Sequence, residues 1–223
     1  MHKIVLNRQV ELKSSYEWLK NGFRIFREAP LQFIVLSIIS YVLSFFVPFI
    51  GAFFAPLIIA RFAALSSTIE SDQKISMNSI FTNLFQNKTL MHLAYINLIF
   101  GSLIMLTKHY IINDNEMSLL TDLSAKAIIY LFSVMVFQTF FWISPIICEY
   151  NRDVSALDAM ILSFKASFYN VAAMLLYGVI ITAFTILSII PLGLGLFILV
   201  PVINISSYFI YKSFFVINNK PSF

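Results

Sequence analysis

From residue 31 to residue 68 the chain runs almost without a polar interruption, and Arg61 is the one charge in those 38 positions. As a single helix rising 1.5 Å per residue this run would be about 57 Å long, roughly twice the hydrocarbon thickness of a bilayer. It has to fold back once, and Pro48 to Gly51 is the punctuation that allows it. Proline removes a backbone donor and drives the preceding Val47 out of helical geometry. Glycine offers a positive φ to start the return. A second such run, residues 171–215, carries the same punctuation at Pro191 to Gly195. Both stretches read as uncharged, tight turns of transmembrane hairpins.

Composition agrees on the solvent. Hydrophobic residues make up 59% and charged residues 12% of the 223, with 24 phenylalanines. A soluble domain carries about 25% charge, so this chain could not cover such a load of apolar side chains in water. Residues 89–106 and 125–148 add two further spans, joined by the polar stretch from Lys108 to Lys126, with an external loop around residues 113–116. The expected architecture is an all-α, polytopic membrane helical bundle with six spans, at 31–47, 51–68, 89–106, 125–148, 171–190 and 196–215. A 1–30 amphipathic arm precedes the 31–216 membrane domain, and a short tail, 217–223, follows it. No cleavable signal is expected, because the first thirty residues are polar and amphipathic and no small-residue cleavage site follows the first apolar run.

Orientation follows from the cations. Thirteen of the fifteen Lys and Arg residues fall on one side of this arrangement, and only Lys108 and Lys126 on the other. By the positive-inside rule both termini are cytoplasmic. The same rule accounts for the basic pI near 9.1 better than nucleic acid does, since no recognition motif accompanies the charge.

A short amphipathic segment precedes three of the spans. In the first, Leu19, Phe23 and Phe26 share a face, Lys20, Arg24 and Arg27 share the flank, and Ser14 with Glu17 offers a capping box. In the third, Leu157, Ile161, Phe164 and Phe168 share a face, with Ser155 and Asp158 as the box. The middle copy, built on Met77, Ile80 and Leu84 beside Phe81 and Phe85, is poorer. The unit is an interfacial helix plus a transmembrane hairpin, repeated three times with parallel topology. Such helices either set the angle of the next span or hold anionic lipid on their basic flank.

The third unit, SPIICEYNRDVSALDAMILSFKASFYN (residues 144–170), resembles a pattern of bacterial inner-membrane proteins of unknown function, the YciC-like group among them. Its marks are Pro145, the charged turn from Glu149 to Asp153, the small residues Ala156, Ala159 and Ser163, and Asn170 before the next span. The N-terminal YEWLKNGFRIFREAPLQF with the two Pro/Gly hairpins is similar to the six-span members of that class. The resemblance implies the fold and a bacterial inner membrane, and transfers no catalytic residues.

The residues themselves assemble no chemistry. His2, His92 and His109 are scattered without metal spacing, Gly193 and Gly195 follow no strand, and Cys148 stands alone without a nearby His. The carboxylates, Glu70, Asp72, Glu149, Asp153 and Asp158 among them, fall in loops, interfacial helices or the arm, which speaks against a proton-coupled carrier. Three neutral amides, Asn97, Gln138 and Asn204, lie near the middle of spans three, four and six. They either staple the bundle or line a polar seam. Arg61, near the inner end of span two, snorkels to the interface or meets a lipid phosphate. No cofactor or metal is implied. The leading reading is a non-enzymatic scaffold or accessory subunit working through helix and lipid contacts, with anionic lipids, a membrane-protein partner or a second copy as companions. A small channel or transporter for a neutral or amphiphilic solute is the alternative, and a lipid enzyme lacks an acid–base pair or metal ligands.

Overall fold

The computed structural model describes residues 4–46, 48–113 and 120–217. Val47, most of the expected external loop and the tail beyond Ile217 lie outside the described residues. In chain order the elements are β1 (Ile4–Leu6), α1 (Ser14–Glu28), α2 (Pro30–Phe46), α3 (Pro48–Glu70), a 3-10 turn (Met77–Ile80), α4 (Lys88–Asn113) and α5 (Leu120–Phe141). They continue with α6 (Ser144–Tyr150), α7 (Ala156–Tyr169), α8 (Val171–Ile189), α9 (Leu196–Phe214) and β2 (Phe215–Ile217). Among the described residues five helical stretches are long and apolar enough to cross a membrane, and the bent pair α1–α2, which turns by 107°, makes a sixth if counted as one.

Burial identifies the solvent these helices are built for. The α8 stretch is the most apolar of the five, with mean hydropathy 2.2, yet only 11% of it is buried inside the protein. In a water-soluble bundle the greasiest helix is the one most enclosed. Here Leu175, Val179, Ile186 and Ile190 face outward, as do Phe45 and Phe46 on α2 and Ile128, Leu131 and Phe132 on α5. The pattern is that of a multi-pass membrane protein.

Both long runs turn where proline and glycine stand. α2 ends at Phe46 and Pro48 opens α3, its missing N–H being one that a first turn leaves unpaired anyway. Gly51 does not supply a positive φ, contrary to expectation. It lies inside α3, where a Cβ would come within 2.6 Å of Ser44 Cα and 2.9 Å of the Leu43 carbonyl. Its role is close approach. In the second hairpin, Leu192 and Gly193 take the positive φ values, 55° and 79°. Gly195 repeats the job of Gly51, its hypothetical Cβ falling 2.8 Å from Ser188 Cα.

Four further features depart from the sequence reading. The fourth span is not one helix over 125–148 but breaks between α5 and α6, just before Pro145. The Ser163 hydroxyl from α7 enters the gap: it donates to the Thr139 carbonyl at 2.9 Å and accepts from Ile143 N at 3.3 Å. A side chain thus replaces one rung of the helical ladder. The middle interfacial helix is only the 3-10 turn. Ser76 and Ser79 cap one another there, and Asn83 adopts a left-handed φ of 61° that stops further winding. The Ser14/Glu17 box does not form, because the carbonyls of Glu11, Leu12 and Lys13 already accept the first amides of α1. Ser155, by contrast, accepts from Asp158 N at 3.1 Å and donates to its carboxylate at 2.7 Å.

The fourth is a three-residue strand pair that the sequence reading did not foresee, in a chain that is otherwise all-helical as expected. β1 and β2 pair antiparallel, with Ile4 opposite Ile217 and Leu6 opposite Phe215. Asn7 extends the contact by donating to the Ser213 carbonyl at 3.1 Å, and Asn170, 4% exposed, accepts from Val10 N at 3.0 Å. The arm is therefore stitched into the bundle. α1 is too: Trp18 is held edge-on between Tyr177 and Phe214 and donates to Ser213 Oγ at 2.8 Å. Gly22 sits so close to α9 that a Cβ would lie 2.4 Å from Ser206 Oγ and 2.9 Å from the Val202 carbonyl. Small residues let two helices approach in this way. The apolar face of α1 is thus spent mainly on protein, with Leu19 and Phe26 buried and Phe23 half-buried. On α7 the sides are reversed: Ala159, Ser163 and Ala166 are buried, while Leu157, Ile161 and Phe168 face out.

Candidate functional site

Three places gather polar side chains that the hydrophobic architecture does not require. The first is the exposed flank of α1. Lys20, Arg24 and Arg27 all project outward from the helix that Gly22 and Trp18 clamp to α9. Among the described residues none of the three forms an ion pair. They border a groove of about 630 Å³ between α1 and α8 with Phe23 and Phe184 in its wall, the two rings 6.4 Å apart. Glu28 lines it as well. The arrangement is a cationic rim over an aromatic surface.

The second is an uncharged recess of about 270 Å³ among α3, α4, α5 and α9. Asn97, Gln138 and Asn204, read from sequence as three separate intramembrane amides, line this one space together with Trp142 and Ser207. The reason Asn97 is there can be traced to Pro56. A proline inside α3 cannot donate to the carbonyl four residues earlier, so Ala52 is left without its helical partner. Asn97 Nδ2 donates to that carbonyl at 2.5 Å, pinning α4 to α3. Asn204 spends its Nδ2 on the Val200 carbonyl of its own helix at 3.0 Å, and the Ser207 hydroxyl donates to Ile203 at 3.3 Å. The Gln138 side chain is exposed and forms no hydrogen bond among the described residues, whereas Trp142 Nε1 is buried without a partner.

The third place joins the inner ends of α3 and α9. Glu70 accepts from the Tyr208 hydroxyl at 2.7 Å and from Lys212 Nζ at 2.8 Å. Tyr150 stacks on Tyr211 at 5.5 Å and donates to the Ala63 carbonyl at 3.0 Å, while Asn151 donates to the Tyr211 hydroxyl at 2.9 Å. Beside this cluster is a cleft of about 430 Å³ bordered by Arg24, Glu28 and Lys74. The ion pair here is half-exposed and worth little on its own. Its function is to tie helix ends together. Sequence reasoning placed Glu70 in a loop and did not single out Tyr208, Tyr211 or Lys212. Their i, i+3, i+4 spacing in SSYFIYK, which puts them on one face of α9, was the available signal.

Arg61 is engaged by protein. Its guanidinium donates to the Ser79 carbonyl and, at 2.8 Å, to Thr82 Oγ1, so it anchors the 3-10 turn to α3. Its Nε is buried without a partner. Asn87 anchors the other end of that connection: Nδ2 donates to the Cys148 carbonyl at 2.7 Å, and Oδ1 accepts from Leu90 N at 3.1 Å. Cys148 is fully buried. No group of His, Cys, Asp or Glu among the described residues is arranged to hold a metal ion. No protein-family model, curated protein or solved structure matches the chain.

Proposed function

We propose that this chain is a six-span protein of the bacterial inner membrane, with both ends cytoplasmic, that acts without chemistry of its own. Its work is that of a scaffold or accessory subunit, holding membrane components through helix and lipid contacts. The pairing of β1 with β2 supports six crossings. Five would leave Leu6 and Phe215 on opposite faces of a hydrocarbon layer about 30 Å thick. With α2 counted as a span of its own, 17 residues long, the number between them is even.

The observation that carries the scaffold reading is the α1 flank. Three cations are exposed and unpaired on a helix whose other face is locked to α9, so they are held in a fixed row rather than trailing on a mobile arm. Each cation near an anionic surface contributes about 1 kcal/mol, and three together shift occupancy roughly a hundredfold. An aromatic surface beside them suits the acyl region just below a headgroup.

A transport reading is favoured by one observation, the convergence of three amides on one recess. That recess takes in residues 137–142 on α5 and 203–207 on α9, a height of about 8 Å at 1.5 Å per residue. It suits holding a small group better than conducting one.

The test replaces Lys20, Arg24 and Arg27 together by Gln and floats the purified variant with vesicles of neutral lipid containing 20–30% phosphatidylglycerol (about 1 kcal/mol per lost charge being the expected effect), beside mass spectrometry of co-purifying lipids and proteins. The variant should fold as the parent does and lose anionic lipid or an acidic partner. Full retention of both would reduce the row of cations to a topology signal.

A further inference from the structure

The uncharged recess adjoins a second space across a shared aromatic wall. Phe137 and Phe141, which wall the recess, also wall an apolar groove of about 450 Å³ between α4 and α5, completed by Phe100, Phe132, Val136 and Met160. Their rings stand 4.5 Å apart, and Phe100 packs 6.4 Å from each. One side of this aromatic wall is thus polar, and the other is apolar but for Ser133. Both volumes belong to the size class of small-molecule sites, about 300–1,000 Å³ when taken together.

The polar side is unfinished. Trp142 Nε1–H is a buried donor with no acceptor; beside it the exposed Gln138 side chain lines the recess and forms no hydrogen bond among the described residues, so its donors and acceptor are free for a ligand. Asn97 and Asn204 have each committed Nδ2 to a backbone carbonyl, which leaves each Oδ1 open to accept. A buried polar group without a partner is costly, and most find one. A ligand that completes this set needs at least one acceptor for Trp142 and one donor for the amide oxygens, at one end of an apolar tail. It is also uncharged, because no ionisable side chain lines the recess and a phosphate there would be buried without a counter-charge.

We propose that recess and groove together form a binding site for a neutral glycerolipid: a hydroxyl- and ester-bearing head against Gln138, Trp142, Asn97 and Asn204, and an acyl chain over Phe137 and Phe141 into the α4–α5 groove. This site is separate from the cationic row on α1 and takes a different lipid class.

The experiment uses the full chain in nanodiscs with two photoactivatable probes carrying the same diazirine acyl chain, a monoacylglycerol and a phosphatidylglycerol, followed by peptide mapping. The monoacylglycerol should label α4 and α5 around Phe100 and Phe132 saturably, and the phosphatidylglycerol should not compete. Trp142→Phe keeps a ring and removes the donor. It should cut saturable labelling about fivefold, the factor one hydrogen bond makes; any change in melting midpoint reports the smaller ring's packing against the core and is read separately. Gln138→Leu should cut labelling to a similar extent. The triple Gln variant of α1 should label like the parent, which keeps this inference apart from the scaffold reading. Undiminished labelling of Trp142→Phe and Gln138→Leu would overturn the proposal. So would equal labelling by the charged probe.

Discussion

At the scale of single residues, the fold is held by polar side chains that repair what proline and helix breaks leave open. Asn97 serves the Ala52 carbonyl that Pro56 abandons, and Ser163 bridges Thr139 and Ile143 across the α5–α6 break. In hydrocarbon such bonds average roughly 0.6 kcal/mol, with the best near 2. Asn97→Leu should therefore cost about 1 kcal/mol, more than a surface change would. Pro56→Ala restores an N–H in reach of Ala52, so the same Asn97 substitution should cost less in that background. A double-mutant cycle on thermal unfolding in detergent measures the difference. Strict additivity would mean that Asn97 and Pro56 are not linked through that carbonyl. Ser163→Ala should destabilise by a similar amount, about 1 kcal/mol, and would be neutral if the break were closed by α6 alone.

At the scale of elements, the two outer hairpins share one construction: a glycine at the start of the returning helix lies against a serine seven residues earlier, Gly51 in the first turns of α3 on Ser44 and Gly195 just before α9 on Ser188. An added methyl group meets backbone in both, so Gly51→Ala and Gly195→Ala should each destabilise by about 1–3 kcal/mol. Gly178, in mid-α8, meets nothing within 4 Å. Gly178→Ala should be neutral or stabilise by up to about 1 kcal/mol. Equal effects at all three positions in an unfolding assay would show that close approach is not what the hairpin glycines provide. The location of both hairpins was legible in the sequence because proline and glycine interrupt apolar runs too long to span once. What Gly51 does there was not, since a glycine needed for a positive φ and one needed for proximity look alike in a sequence. The α5–α6 break had a local mark in Pro145, but the group that makes it tolerable, Ser163, comes from another helix. The middle amphipathic segment had helical spacing in Met77, Ile80 and Leu84. Local competition from Ser76, Ser79 and Asn83 outweighed a face with only three apolar residues.

At the scale of the molecule, hydropathy and burial run opposite ways in α8, while α9 and the short α6 form the enclosed centre. Composition carried that conclusion, because so few charges cannot cover so many apolar side chains in water. The candidate sites were legible only in part. The amides at 97, 138 and 204 could be picked out one by one as polar groups in greasy helices, and their meeting in one recess depends on how α3, α4, α5 and α9 pack. Trp142 passed unnoticed because an aromatic in an apolar run gives no sign that its N–H is orphaned. The Glu70–Tyr208–Lys212 cluster joins positions more than 130 residues apart, beyond any local pattern. An even number of crossings with both ends inside is the proposed topology on which the other roles depend. Single cysteines at Leu192, which is 95% exposed at the α8–α9 turn, and at exposed Asp72 after α3 test it directly, with the buried Cys148 silent. An impermeant thiol reagent should modify Leu192→Cys in intact cells and Asp72→Cys only after permeabilisation. Labelling of both from the same side, or of Asp72→Cys alone in intact cells, would contradict the six-span arrangement or its orientation.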